Sequence, residues 1–386
     1  MLIKIDCSVV SDAVSSNIWS QDILLALELL AIARREGKHV IISDLKTLEV
    51  IRQCEHLPQS IKDIYNRIYS SFSQTSAYLS IVNRYIEITN PCHTPSVSSH
   101  LGKQIIRVPP SFFNDSMKVQ KTILLCEHSC DTALYGAIAK AFLVWINQAR
   151  TQLAYEPRGG GGSSIFVEYA NIQRTGERMC LCIVDSDRKA PNSSLGATAA
   201  TIQSQSNPNN LITQLSILDA REAENLIPHQ ILSEIGQGNK ERLEFLTVLE
   251  RIQNSNGREV RKFIDIKEGT FLREIVNSGD SSIKVFWQAN IFSIPSNLSV
   301  TNSWCWTNWQ CEQHQQAKNK NPPSRPCNCI IVPHFGRNAL ENTTEWLERK
   351  SPHEVARKVD QYLRSDWEKL GQIIVDWCLA ERPLYA

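Results

Sequence analysis

The sequence predicts an α/β protein built on mainly parallel sheets that are flanked by helices. Two observations predict this class. Short apolar strand segments alternate with longer helical segments along much of the chain, and acidic residues stand directly after several strands. The balance of 41 Lys+Arg against 40 Asp+Glu excludes the uniformly basic surface of a nucleic-acid coat protein. Its 386 residues are enough for more than one hydrophobic core.

The amino-terminal region begins with a predicted β–α–β unit. The strand LIKIDCSVV leads into the helix SQDILLALELLAIARREGK, which Gly37 ends before the strand HVIIS. The stretch NPCHTPSVSSHLGK is interpreted as a linker or loop because it is rich in Pro, Ser and His. We therefore assign residues 1–115 to an α/β domain.

This domain carries its own acidic residues. Asp6 follows the first strand, Glu28 lies in the helix, and Asp44 follows the second strand, where it also suits a helix cap. The arrangement is faintly similar to PIN-type ribonuclease domains, which gather carboxylates around a divalent metal. An ordinary Rossmann-like domain decorated with acids is the alternative, so the fold is expected to be PIN-like or Rossmann-like.

A second α/β region follows from residue 116 to residue 240. The strand KTILLC ends before Glu127, and the strand RMCLCIV ends before Asp185 and Asp187. Because the carboxyl ends of parallel strands meet at one edge of a sheet, these three carboxylates are predicted to hold Mg²⁺ or Mn²⁺. Such an ion activates water for phosphodiester hydrolysis. A later strand, ILD, is predicted to lead into a helix that begins near Ala223.

The order of the segments TILLCEHSCDTALYGAIAKAF, GGGGSSIFVEYANI, MCLCIVDSDR, AREAENLIP and FIDIKEG resembles a Toprim domain. The resemblance covers about residues 121–270 and is to the nuclease branch found in overcoming-lysogenization-defect-type and related phage-defence proteins. It implies that Glu127 is the metal-binding or acid–base glutamate and that Asp131 is its companion. The family's usual glycine after the glutamate is replaced here by His128. Its glycine turn matches Gly159 to Gly162.

The resemblance also implies roles for later residues. The family's DxD motif matches Asp185 and Asp187, and Glu224 matches a further site glutamate. Lys267 would neutralise the phosphate or the leaving group. Glu224 is equally typical of an acidic first helical turn, and Lys267 of a solvated surface lysine. The implied catalytic set is Glu127, Asp131, Asp185, Asp187, Glu224 and Lys267, with Mg²⁺ on Glu127, Asp185 and Asp187.

The carboxy-terminal region, residues 241–386, is predicted to be mostly helical and to complete the site through Lys267. Seven of the nine tryptophans lie after residue 286, and three of these, Trp304, Trp306 and Trp309, lie beside Cys305 and Cys311. Cys305, Cys311, Cys327 and Cys329 are candidate ligands of a structural Zn²⁺, with His314 as a competing ligand. Reduced cysteines in a Trp-rich core are the alternative.

The leading functional hypothesis is a Mg²⁺-dependent endonuclease of Toprim type that cleaves DNA or RNA as an effector of bacterial anti-phage defence. Since the sequence contains no ATPase motif, control is expected from a sensor or ATPase partner, or from homo-oligomerisation. The alternatives are a non-catalytic α/β adaptor or regulatory subunit, and a ribonuclease whose site is in the amino-terminal domain. No apolar stretch reaches the length of a membrane span and no secretory signal is recognisable, so a cytoplasmic location without membrane contact is expected.

Overall fold

The computed structural model describes residues 1–11, 18–92, 94–256, 258–291, 308–309 and 329–384. The chain forms two compact units, each assembled from separated segments. The first unit comprises Met1–Ile183, Gln205–Ser216 and Glu368–Ala386, and the second comprises Val184–Ser204 and Ile217–Trp367. The predicted fold class is confirmed at the level of an α/β protein with a mainly parallel sheet flanked by helices.

The strands are numbered in chain order. They are β1 (Leu2–Ile5), β2 (Val40–Ser43), β3 (Arg84–Ile88), β4 (Ser96–His100), β5 (Lys103–Val108), β6 (Thr122–Cys126), β7 (Gln152–Leu153), β8 (Tyr155–Gly159), β9 (Cys180–Val184), β10 (Thr213–Ile217), β11 (Thr270–Phe271), β12 (Ile330–Val332) and β13 (Leu379–Ala380). Short antiparallel pairs join β7 to β13 and β11 to β12.

The helices with described bounds are α1 (Gln21–Arg35), α2 (Leu45–Gln53), α3 (Gln59–Ser70), α4 (Phe72–Thr75), α5 (Tyr78–Ile81), α6 (Ser129–Trp145), α7 (Ile165–Thr175), α8 (Ala197–Gln205), α9 (His229–Ile235), α10 (Lys240–Gln253), α11 (Leu272–Val276), α12 (Ser281–Ile291), α13 (Ala339–Glu348), α14 (Pro352–Lys358) and α15 (Arg364–Cys378). Turns of 3₁₀ helix occupy Pro110–Phe113, Ser116–Val119, Gly162–Ser164, Ala223–Leu226 and Arg258–Phe263. Within the described part of the chain, no helix has the length and apolar character that crossing a bilayer requires.

The first sheet has the strand order β2-β1-β3-β5-β4. Strand β1 pairs in parallel with β2 and β3, and β3 pairs in parallel with β5. The predicted β–α–β unit is therefore confirmed, with α1 as its helix. Ser20 caps α1, since its hydroxyl accepts a hydrogen bond from the backbone N–H of Ile23.

The interpretation of residues 90–103 as a linker or loop was wrong in part. Ser96–His100 forms β4, which pairs with β5 as an antiparallel edge strand. Leu101 and Gly102 make the turn between them, and both have positive φ, as two-residue hairpin turns require. The sequence SVSSH gives no apolar alternation because both faces of this edge strand are largely exposed.

The second sheet has the strand order β10-β9-β6-β8, in which β6 lies parallel to β8 and β9. Every residue of β6 and β9 is buried, as their unbroken apolar sequences predict. Strand β8 was not predicted, since its sequence YEPRG contains a proline and two charges. Such a sequence is compatible with the edge position that β8 occupies.

The end of α15 belongs to the first unit and packs beside both of its sheets. The hydroxyl of Thr122 donates to the carbonyl of Trp377 at 2.7 Å. The indole N–H of Trp377 donates to Gln214 Oε1 at 2.8 Å. Asp376 Oδ1 accepts from the backbone N–H of Asn83 at 2.7 Å, so one carboxylate ties α15 to the start of β3.

The predicted helix that begins near Ala223 was also wrong. Ala223–Leu226 forms one 3₁₀ turn, and α9 begins only at His229. The cause is Pro228, because a residue that precedes proline is disfavoured in the helical conformation. Ile227 is accordingly extended, with φ −74° and ψ 122°.

Candidate acidic site

The segment Asp185-Ser186-Asp187 follows β9 in the second unit. Ser186 is fully buried, and its hydroxyl donates to the carbonyl of Ala220 at 2.6 Å. The two aspartates precede and follow this anchored serine in the sequence. Asp185 is partly buried, and its Oδ1 accepts from the backbone N–H of Ala223 at 3.0 Å.

Asp187 has a left-handed backbone with φ 52°, which is uncommon for a residue with a side chain. Its N–H donates to the carbonyl of Arg221 at 2.9 Å. Gly196 packs directly against it, and a Cβ added at Gly196 would collide with the Asp187 side chain. The glycine is therefore needed to leave room for the second aspartate of the motif.

Substituting Gly196 by alanine is expected to lower the free energy of unfolding by about 1–3 kcal/mol, because the added methyl group must displace Asp187. Urea denaturation measures this change. Gly279→Ala is the matched control, since a Cβ at Gly279 meets nothing within 4 Å. Equal effects of the two substitutions would contradict the close packing described for Gly196.

The turn that carries Glu222 and Glu224 is held by Asn225, which is 1% exposed. Asn225 Oδ1 accepts from the N–H of Glu222 at 2.9 Å. Its Nδ2 donates to the carbonyls of Arg261 and Ile264, both at 3.0 Å. One amide thus joins the turn to the segment that leads to Lys267.

Lys267 lies between two carboxylates of this turn. Its Nζ is 3.2 Å from Glu224 Oε1 and 3.3 Å from Glu222 Oε2. Burial alone would lower the pKa of Lys267, but the charges of Glu224, Glu222 and Asp185 outweigh burial and raise it. We call Asp185, Glu222, Glu224 and Lys267 the Lys267 cluster.

The side chain of Glu222 is largely buried, with 7% of the residue exposed. Burial raises the pKa of Glu222 by more than Lys267 and Arg221 lower it. Arg221 adds a second cation, with Nη2 2.7 Å from Asp265 Oδ2 and Nε 3.4 Å from Glu222 Oε1. With Asp187 included, carboxylates outnumber cations around the cluster.

Glu127 and Asp131 lie in the first unit. Asp131 is 5% exposed, and its Oδ2 accepts from the N–H of His128 at 2.8 Å, which caps the start of α6. Asp131 thus contributes to the start of this helix. The glycine loop closes on the end of β6, because the N–H of Gly162 donates to the carbonyl of Glu127 at 3.2 Å. A Cβ at Gly159 would lie 3.3 Å from the backbone nitrogen of Ser129.

The structure places the residues implied by the Toprim resemblance in two groups. Glu127 and Asp131 belong to the first unit, whereas Asp185, Asp187, Glu224 and Lys267 belong to the second. Within the second unit, Asp185, Glu224 and Lys267 lie in one cluster. Sequence reasoning missed Glu222 and Arg221. The two-residue spacing of the glutamates in AREAEN was the available signal for Glu222.

The sequence predicted a Mg²⁺ site and a structural Zn²⁺ site. Among the residues that the structure describes, no group of three or more His, Cys, Asp or Glu is arranged to hold a metal ion. The oxygen donors of the Lys267 cluster suit Mg²⁺ in kind, but here Glu222 and Glu224 surround an ammonium group. Of the zinc candidates, Cys305, Cys311, Cys327 and His314 lie outside the described residues. Cys329 is partly buried and precedes β12.

The acids of the amino-terminal region have local partners. Asp6 Oδ1 accepts from the N–H of Ser8 at 3.0 Å. Asp44 caps α2 by accepting from the N–H of Thr47 at 3.0 Å. Because Ile5 pairs with Ser43, these aspartates follow adjacent ends of parallel strands.

No model of a protein family, no curated protein and no solved structure matches the chain. The Toprim and PIN-type resemblances therefore stay predictions made from sequence motifs. The structure shows in addition that Glu222 and Glu224 contact Lys267.

Proposed function

We propose that the chain is a metal-dependent nuclease of Toprim type that hydrolyses phosphodiester bonds of DNA or RNA. The observation that supports this proposal is the Lys267 cluster, in which Asp185, Glu222 and Glu224 lie around a partly buried lysine. Carboxylates of this kind bind divalent ions in phosphoryl-transfer enzymes, and a fixed lysine stabilises charge that develops on phosphate.

In this proposal Asp185 and Asp187 would supply carboxylate ligands to Mg²⁺ or Mn²⁺, as the Toprim resemblance implies, and when bound the ion neutralises phosphate charge and lowers the pKa of water. Lys267, whose pKa its neighbours raise, stays protonated at neutral pH and donates to a phosphate oxygen. Glu222 is the carboxylate best suited to accept the proton of the attacking water, because burial raises its pKa towards the working range of a general base. Water then bonds to phosphorus as the bond to the leaving oxygen breaks.

The biological setting is proposed from the sequence alone. A role in bacterial anti-phage defence rests on the Toprim resemblance. Control by a sensor or ATPase partner, or by homo-oligomerisation, rests on the lack of an ATPase motif in the sequence. A cytoplasmic location rests on the scattered arrangement of the cysteines.

A non-catalytic adaptor is the second candidate, and two observations favour it. Lys267 and Arg221 both form ion pairs with Glu222 of the cluster, and Asp131 caps a helix. An adaptor of this kind predicts that calorimetry with Mn²⁺ detects no binding that is lost when Asp187 is changed to asparagine.

The nuclease proposal is tested by cleavage of plasmid DNA and transfer RNA with Mg²⁺. Asp185→Asn is expected to lower the cleavage rate at least about 100-fold, because the metal ion that would stabilise the transition state loses an anionic ligand. The Toprim resemblance predicts a similar loss for Glu127→Gln. Glu244→Gln, at an exposed position of α10, is the control and should cleave like the wild type.

Cleavage that is equal in the wild type and in Asp185→Asn would refute the proposal. If Asp6→Asn abolishes cleavage instead, the ribonuclease site lies in the amino-terminal domain. No cleavage by the wild type, together with no binding of Mn²⁺, would favour the adaptor.

A further inference from the structure

We propose that the second unit also binds a mononucleotide, in a cleft between α9, α10 and α13. The cleft has a volume of about 470 Å³, within the range of roughly 300–1,000 Å³ that is usual for small-molecule sites. None of its residues belongs to the Lys267 cluster. Its lining includes Glu234, Arg242, Asn342, Trp346, Arg349 and Lys350.

One wall of the cleft is formed by α13 and the two residues that follow it. Asn342, Glu345, Trp346, Arg349 and Lys350 recur at the spacing of a single helical face. This face therefore presents an amide, a carboxylate, an aromatic ring and two cations next to one another. The opposite wall comes from the end of α9 and from Arg242 of α10.

The ring of Trp346 is held in a fixed orientation. Its indole N–H donates to Glu234 Oε2 at 2.7 Å, and Glu234 is also paired with Lys358. The Nζ of Lys350 lies 5.4 Å from the centre of the Trp346 ring. A tryptophan that is fixed in this way offers a stacking surface for a nucleobase at little cost in side-chain entropy.

Two arginines supply contacts for an anion. Arg242 is oriented by donation to the carbonyl of Ile235 at 3.1 Å, and its guanidinium lies 4.9 Å from the centre of the Phe335 ring. Arg349 is exposed, and its side chain makes no hydrogen bond or ion pair with any residue that the structure describes. A guanidinium in this state is suited to bidentate contact with phosphate.

The charge balance of the cleft also favours an anion. Lys358 compensates the charge of Glu234, which leaves Glu345 as the remaining carboxylate in the lining. Among the residues that the structure describes, the ion-pair partner of Lys350 is Glu354, with Nζ 3.9 Å from Oε1. Arg242, Arg349 and Lys350 therefore outnumber the acids that face them.

A mononucleotide is the ligand class that would contact both the Trp346 ring and the two arginines. Its base would stack on Trp346, its phosphate would contact Arg349 and Arg242, and the amide of Asn342 would bond to the ribose or to the edge of the base. A bare phosphate leaves the ring unused, and an uncharged nucleoside leaves the arginines unused.

Isothermal titration calorimetry of the full chain tests this proposal with AMP as the probe, and with adenosine and inorganic phosphate as comparisons. AMP is expected to bind at least about tenfold more tightly than either comparison. Arg349→Ala should weaken AMP binding by at least about tenfold, and Trp346→Leu by at least about fivefold. Arg357→Ala, an exposed arginine of α14 outside the cleft, should leave binding unchanged.

The absence of binding at about 1 mM AMP would overturn the proposal, as would unchanged AMP affinity in Arg349→Ala. Equal affinity for AMP and phosphate would also overturn it, because the cleft would then recognise only an anion. Arg349 is exposed, so its substitution leaves the fold intact even if Trp346→Leu does not. Asp185→Asn should bind AMP like the wild type, which separates this test from the test of nuclease activity.

Discussion

Substituting Asp376 by asparagine is expected to remove the contribution of this carboxyl group to the pH dependence of the free energy of unfolding between about pH 4 and about pH 8. Asp376 is 7% exposed, and burial raises its pKa to about 7. In the unfolded chain the same carboxyl titrates near about 3.9. Between these two values the folded state holds a proton that the unfolded state lacks. Stability contributed by this group is therefore present at low pH and is lost as the pH rises through the folded pKa.

Asparagine keeps the oxygen that accepts from Asn83 and from Gln372 Nε2, and it carries no charge at any pH. At about pH 8 we expect the variant to be more stable than the wild type by about 2–4 kcal/mol, and near pH 4 we expect little difference. Urea denaturation at both pH values measures these changes. Asp63→Asn, at an exposed position of α3, is the control. Parallel pH profiles of the wild type and Asp376→Asn would show that Asp376 is not the titrating group.

Substituting Asn225 by alanine is expected to lower the free energy of unfolding by about 2–4 kcal/mol. The change removes three hydrogen bonds and leaves the N–H of Glu222 and the carbonyls of Arg261 and Ile264 without this partner in a buried site. Urea denaturation measures the loss. Asn254→Ala, at the exposed end of α10, should cost little in comparison.

A second variant distinguishes the acceptor role of the Asn225 side-chain oxygen from the donor role of its nitrogen. Asn225→Asp keeps an oxygen acceptor for Glu222 but replaces the donor to Arg261 and Ile264 with an oxygen. It should be at least as unstable as Asn225→Ala if the donor bonds hold the turn in place. If either Asn225 variant lowers the free energy of unfolding only as much as Asn254→Ala does, the role assigned to Asn225 is contradicted.

The parts of the fold that local chemistry encodes were predictable from the sequence. The β1–α1–β2 unit follows from apolar runs, a serine cap and Gly37, and the fully buried strands β6 and β9 follow from their unbroken apolar sequences. The elements that the sequence did not predict correctly have physical causes. Strand β4 is polar and exposed, β8 contains Pro157 at a sheet edge, and Pro228 prevents a helix at Ala223.

The candidate site was predictable only where a residue follows a strand or belongs to a motif. Asp185, Glu224 and Lys267 were named on that basis, and they lie in one cluster. The roles of Asn225 and Arg221 depend on contacts with residues 36 to 44 positions away along the chain, which no local pattern encodes. Asp131 also makes a local contact that the family motif does not describe, since its side chain caps the start of α6.

The bond between Thr122 and Trp377 joins residues that are 255 positions apart in the sequence. A ribosome that adds roughly 5–20 residues per second needs about 13–50 s to synthesise the intervening chain. During that interval β6 has emerged while its carboxy-terminal partner does not yet exist. The nascent first unit therefore exposes apolar strand surface for many seconds, and we expect chaperones that bind such surface to associate with it before translation ends.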